Sequence, residues 1–155
     1  MIKDKIISLL PYAEPFLFVD DLEHIDDDGC IGSYTYPKDS FFYAGHFIGN
    51  PITPGVILTE TMAQIGLVCL GIYLMREKIN ETTLLPEMAM VSNDINYFLP
   101  VLPDEKVTVT SRKVYFRFGK LKCAVELRNS QKALVCKGTI SGMISSKPLS
   151  QLQNR

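Results

Sequence analysis

Residues 45–75 read GHFIGNPITPGVILTETMAQIGLVCLGIYLM, and the fold turns on how this stretch is read. From Val56 to Met75 it is one of the longest apolar runs in the chain, yet Glu60 stands inside it. His46 lies fourteen residues ahead of that carboxylate, beyond two glycines and two prolines. Thr53 is a good N-cap and Pro54 suits the first helical position, where a missing N–H costs nothing, so a helix is predicted from there. The run approaches the ~20 residues that span a bilayer. Thr59, Glu60, Thr61 and Gln64 crowd its first half, however, and Arg76, Glu77 and Lys78 follow it directly. A buried helix at the centre of a soluble fold is therefore expected, and no membrane span.

The rest of the chain is consistent with one domain. At 155 residues it is long enough for a single sizeable core. Its composition, 46% hydrophobic and 21% charged with a formal net charge of −1, is that of an ordinary globular protein and gives no electrostatic reason to expect nucleic acid. The start, MIKDKIISLLPYAEP, lacks the uninterrupted apolar region of a signal peptide. Cys30, Cys69, Cys123 and Cys136 form no C-x-x-C pair, and with two histidines in the chain no zinc site is expected. Reduced thiols in a cytoplasmic protein are the simplest reading.

Periodicity orders the elements. Lys3 to Leu10 reads as a short amphipathic helix stopped by Pro11, and FLFVD (residues 16–20) running into LEHID reads as a strand. The aspartates 26–28 form a solvated hairpin tip, and CIGSYTY returns as a second strand. An aromatic, Gly- and Pro-rich loop runs from Pro37 to Thr53 into the long helix. MAMVSNDINYFLP, KVTVTSRKVYFRF, LKCAVELRN and ALVCKGTISGMI then read as four strands joined by tight turns, which favours an antiparallel sheet. A helix apolar on nearly all sides must be covered nearly all round, and a curved sheet does that. The expected class is α+β, a single domain over residues 1–145 followed by a fraying tail at 146–155.

The helix entrance carries the candidate chemistry. Gly55 falls in the first turn, so its N–H lacks an intrahelical acceptor, lies at the positive end of the macrodipole and has no side chain in front of it. Glu60 follows about 7–8 Å further along the axis, and Gln64 lies one turn beyond on the same face, placed to orient it. Burial should favour the protonated form of Glu60, a usable general acid. His46, from a loop that also holds Phe41, Phe42, Tyr43 and Phe47, is the candidate base, whereas His24 reads as structural.

At this point the stretch becomes specific. GHFIGNPITPGVILTETMAQ resembles the signature of the 3-hydroxyacyl-[acyl-carrier-protein] dehydratases of the FabZ type, close to G-H-F-P-x-x-P-I-x-P-G-V, three residues, then E-x-x-A-Q. Gly45, His46, Phe47, Pro51, Ile52, Pro54, Gly55, Val56, Glu60, Ala63 and Gln64 match in register. LPYAEPFLFVD resembles the family's L-P-H-R-x-P-F-L-x-V-D, and NYFLPVLPDE its F-x-x-P-V-x-P-G-D turn. The resemblance implies the hotdog fold, a sheet wrapped round a long helix. It implies a homodimer with sites at the subunit interface, His46 from one subunit and Glu60 from the other, and in many relatives a hexamer built as a trimer of dimers. The implied reaction is reversible loss of water from a (3R)-3-hydroxyacyl thioester on acyl carrier protein, within fatty-acid or polyene biosynthesis. His46 would take the C2 proton, the Gly55 N–H would bind the thioester oxygen, Glu60 would protonate the leaving hydroxyl and Gln64 would hold Glu60. Phe47, Leu58 and Met62 are candidates for the substrate tunnel. No metal and no cofactor is called for.

The chain departs from that pattern at a few positions. Ile48 replaces a proline in the loop of the candidate base, and Tyr12 and Ala13 replace a His-Arg pair. Phe98 and Leu99 stand where relatives often carry arginine, and Glu105 follows Asp104. The stretch SRKVYFRFGKLK offers other basic residues, although alternation divides them between two faces and a solvated face is the expected reading. Two further readings remain open on sequence: a hotdog thioesterase, and a non-catalytic subunit that binds acyl thioesters.

Overall fold

The computed structural model describes residues 2–81 and 86–145, and the expected tail lies outside them. The chain opens with α1 (Ile2–Ser8), which buries Ile6 and ends ahead of Pro11, a residue that cannot continue a helix. β1 (Asp21–Ile25) and β2 (Gly29–Thr35) form a hairpin. At its tip Asp26 accepts the N–H groups of Asp28 and Gly29 at 2.8 and 3.1 Å. His24 Nε2 donates to Asp26 at 2.7 Å on the exposed face, and this bond holds the Asp26 carboxyl below its ordinary value. Both findings match the structural reading of these residues.

The long helix runs as α2 (Gly55–Ala63), a wider π-helical segment (Gln64–Cys69) and α3 (Leu70–Leu74), with a short α4 (Arg76–Asn80) behind it. Four strands follow: β3 (Glu87–Tyr97), β4 (Lys106–Arg117), β5 (Lys120–Arg128) and β6 (Leu134–Ser145). All six pair antiparallel in the order β1-β2-β4-β5-β6-β3. Alternation decides which face is inward: on β5, Leu121, Cys123, Val125 and Leu127 are buried and the residues between them are not. Phe118 and Gly119, at φ 53° and 73°, make the two-residue turn between β4 and β5, a backbone that costs glycine little. The helix at 55–74 is long and apolar enough to cross a membrane, but the chain's own sheet covers most of it. This is the hotdog arrangement.

Side chains from the sheet reach carbonyls of the π-helical segment, where a helix departs from regular i−4 bonding. The Cys30 thiol donates to the Ile65 carbonyl at 3.2 Å and the Ser111 hydroxyl to the Gly66 carbonyl at 2.7 Å. All four cysteines are free and buried. Burial pushes the Cys30 thiol up to about 12 and the Cys123 thiol up to about 11.

One expectation fails. Residues 16–19 do not join the first strand, which begins at Asp21. The Phe18 N–H and the Phe16 carbonyl bond to a helix side chain, that of Gln64, and the Phe16 N–H donates to the Ala13 carbonyl.

Candidate active site

The helix begins one residue later than its capping signals predict. Gly55 is the first helical residue and Pro54 the cap, with no side-chain cap hydrogen bond. Thr53 is otherwise engaged: its N–H donates to the Val101 carbonyl at 2.9 Å and its hydroxyl pairs with the Tyr43 hydroxyl at 2.6 Å. The first helical bonds come from Ile57 and Leu58 to the Pro54 carbonyl, at 2.9 and 3.1 Å. Gly55 and Val56 precede them, so both N–H groups are left without intrahelical acceptors at the positive end of the helix. Val56 is a second such donor that the sequence reading overlooked, and it is 75% exposed.

Glu60 and Gln64 meet one turn apart, as their spacing predicts. Gln64 is fully buried, and three hydrogen bonds fix its amide. Its Oε1 accepts the Phe18 N–H at 2.8 Å, which turns the NH₂ group toward the Phe16 carbonyl and Glu60 Oε1, each at 3.0 Å. Burial raises the Glu60 carboxyl above its ordinary value, and the bond from Gln64 partly offsets this. With Oε1 occupied, Oε2 is the oxygen left to carry and deliver a proton. Tyr12, in the segment after α1, shares this environment: burial first, and then the charge of Glu60, push its phenol up.

The His46 loop is tied down at several points. The Phe47 and Asn50 backbones exchange two bonds of 2.9 Å, with Ile48 and Gly49 at the tip, and the Ile52 N–H donates to the His46 carbonyl at 2.8 Å. The proline missing at Ile48 thus leaves the turn hydrogen-bonded. His46 stacks on Phe47 with ring centroids 4.2 Å apart. Its Nδ1 lies 2.8 Å from the Ile52 carbonyl, which can only accept, so Nδ1 carries the hydrogen and Nε2 is the ring nitrogen left free.

The chain brings Glu60 and Gln64 together and sets Gly55 at the head of their helix. Among the described residues no hydrogen bond joins His46 to any of the three. Phe47 is 54% exposed, whereas Leu58 and Met62 are buried, Met62 against the Cys136 thiol at 3.8 Å. Two tyrosines went unnoticed in the sequence because nothing local marks them. Tyr36 reaches Thr61 at 2.7 Å; since the Thr61 hydroxyl donates to the Ile57 carbonyl at 2.8 Å, Tyr36 is the donor of that pair. Tyr97 hydrogen-bonds Thr59.

Comparisons with known proteins agree with this arrangement. A family model described as a FabA-like domain matches residues 10–139. The 3-hydroxyacyl-[acyl-carrier-protein] dehydratase FabZ of Herpetosiphon aurantiacus is 31% identical over 122 residues, covering 76% of this chain and 81% of that protein. The FabZ dehydratase of Sinorhizobium fredii is 33% identical over 147 residues, covering 92% and 89%. Among solved structures, the dehydratase heterocomplex ApeI:P from Xenorhabdus doucetiae superposes with a TM-score of 0.80 at 14% identity, over 97% of both chains. A hypothetical thioesterase protein with coenzyme A from Streptococcus pneumoniae gives 0.58 at 18% identity, over 81% and 84%. At those identities the structural likeness is one of fold alone. The family match and the curated relatives go further: this chain belongs to the FabA-like family, among the FabZ-type dehydratases.

Proposed function

We propose that the chain is a hydro-lyase that reversibly dehydrates (3R)-3-hydroxyacyl thioesters, carried on acyl carrier protein, to trans-2-enoyl thioesters in the cytoplasm. The observation that carries this reading is the opposite preparation of two side chains. His46 is anchored through Nδ1 and offers a free Nε2, while burial of Glu60 favours its protonated form with Oε2 available. Elimination needs one base and one acid on the two sides of a C2–C3 bond, and this pair supplies both.

In that reaction Nε2 of His46 takes the proton from C2. The electron pair of that C–H bond forms the C2–C3 double bond as the C3–O bond breaks. Glu60 protonates the departing hydroxyl, which leaves as water, and proton return from the imidazolium to the carboxylate resets the site. Negative charge that builds on the thioester oxygen is met by the Gly55 N–H, with Val56 beside it, at the helix end. Gln64 fixes the rotamer of Glu60. Phe47, Leu58 and Met62 form the apolar surroundings proposed for the acyl chain.

The site is completed by a second copy of the chain, His46 from one protomer facing Glu60 of the other. Two features support this. His46 and Glu60 are not hydrogen-bonded within one chain, and β3 is an eleven-residue edge strand with Met90, Val91 and Tyr97 exposed. An edge strand of that length is a template for pairing.

The test follows enoyl-thioester absorbance with a trans-2-enoyl thioester and its (3R)-3-hydroxy counterpart, on carrier protein and on coenzyme A. Wild type should interconvert them, and Glu60→Gln and His46→Ala should each lose a factor of about 100 or more in rate. Release of free thiol without interconversion would assign the site to hydrolysis instead.

A further inference from the structure

We propose that Tyr97 is a positioning residue that sets the angle of the helix entrance and, through it, the Gly55 N–H. The inference rests on the dehydratase reading above. Tyr97 is the last residue of β3, the edge strand, and pairs with Cys136 of β6. Its hydroxyl bonds the side chain of Thr59, and no other hydrogen bond holds that side chain among the described residues. Its ring lies against Gly55: a methyl group at Gly55 would come within 3.3 Å of the ring Cε1, 3.5 Å of Cζ and 3.6 Å of Cδ1. Gly55 and Thr59 are four residues apart and share one helix face. One tyrosine therefore braces both ends of the first turn, its ring at Gly55 and its hydroxyl at Thr59.

The other faces of the helix have their own anchors. Tyr36 holds Thr61 from the segment after β2, and the Phe16–Phe18 backbone holds Gln64. On the face bearing Gly55 and Thr59, Tyr97 of the edge strand meets both residues. A donor aimed at a developing oxyanion works through its direction, so loss of the brace should slow turnover more than it weakens binding. Thr59 also precedes Glu60 directly, so the same brace limits how far the acid can swing.

The experiment uses the full chain as wild type, Tyr97→Phe, Thr59→Val, Thr59→Ser and the Tyr97→Phe/Thr59→Val double variant. Tyr97→Phe keeps the ring on Gly55 and removes the hydroxyl. We expect it and Thr59→Val each to lower kcat about tenfold with KM within about twofold, and the double variant to be no slower than either. Thr59→Ser keeps a hydroxyl and should retain wild-type kcat. Amide hydrogen exchange at residues 58–63 should quicken in Tyr97→Phe. Wild-type kcat in Tyr97→Phe, a double variant that multiplies the two losses, or unchanged exchange overturns the proposal. Exchange requires no turnover, so an inactive wild type would overturn the dehydratase reading and leave the brace to be decided by exchange alone.

Discussion

Glu60 sits in surroundings that favour its neutral form, and this has a consequence for stability as well as for proton delivery. A carboxyl whose folded pKa is raised binds its proton more tightly folded than unfolded. Stability is then highest below the ordinary carboxylate value and declines as pH rises from there through the raised folded value. Glu60→Gln removes that decline while keeping a partner for Gln64. We expect the variant to melt at a higher temperature than wild type at pH 8 and at the same temperature near pH 4, a comparison that calorimetry makes directly. In the proposed reaction the same ionisation sets the alkaline fall of kcat/KM, because the acid must hold its proton. The Glu60–Gln64 pair was legible in the sequence, since helical spacing alone predicts it. The groups that orient Gln64 were not: Phe16 and Phe18 lie 48 and 46 residues away, and a backbone carbonyl or N–H has no signature of its own. The same holds for Tyr97, 38 residues from Thr59.

At the scale of elements, β5 and the first half of β4 were readable because their burial alternates from residue to residue. FLFVD misled for a related reason. It is a short apolar run with the composition of a strand, yet its Phe18 N–H and Phe16 carbonyl go to the amide of Gln64. The N-cap reading of Thr53 failed because the hydroxyl had a better partner in Tyr43. The π-helical segment was invisible, since a helix apolar nearly all round shows no change of stripe when its register widens. Donors from β2 and β4 meet its carbonyls. Ser111→Ala removes the partner of the buried Gly66 carbonyl and should lower the unfolding free energy by about 1–3 kcal/mol, read as a lower urea midpoint at unchanged m-value. A loss below a few tenths of a kcal/mol would mean that the helix recovers the carbonyl by itself.

The whole molecule has two sheet edges of unequal character. β1 is five residues long, whereas β3 is eleven and is followed by Phe98 and Leu99, both exposed. The proposed dimer uses the longer edge, so a charge there should break it. Val91→Lys, at a 55% exposed position where the β3–β6 register shifts, should convert the dimer to a monomer in sedimentation and abolish turnover with the circular dichroism retained. A monomeric wild type with full activity would remove the need for a composite site. Within each copy the four cysteines are spread over β2, the long helix, β5 and β6, and every one is sealed from solvent. A thiol reagent can reach them only when the surrounding layer parts. The protein thus carries its own clock, with a hand in each layer: the order in which the four sulfurs take up a label reports which part of the fold loosens first.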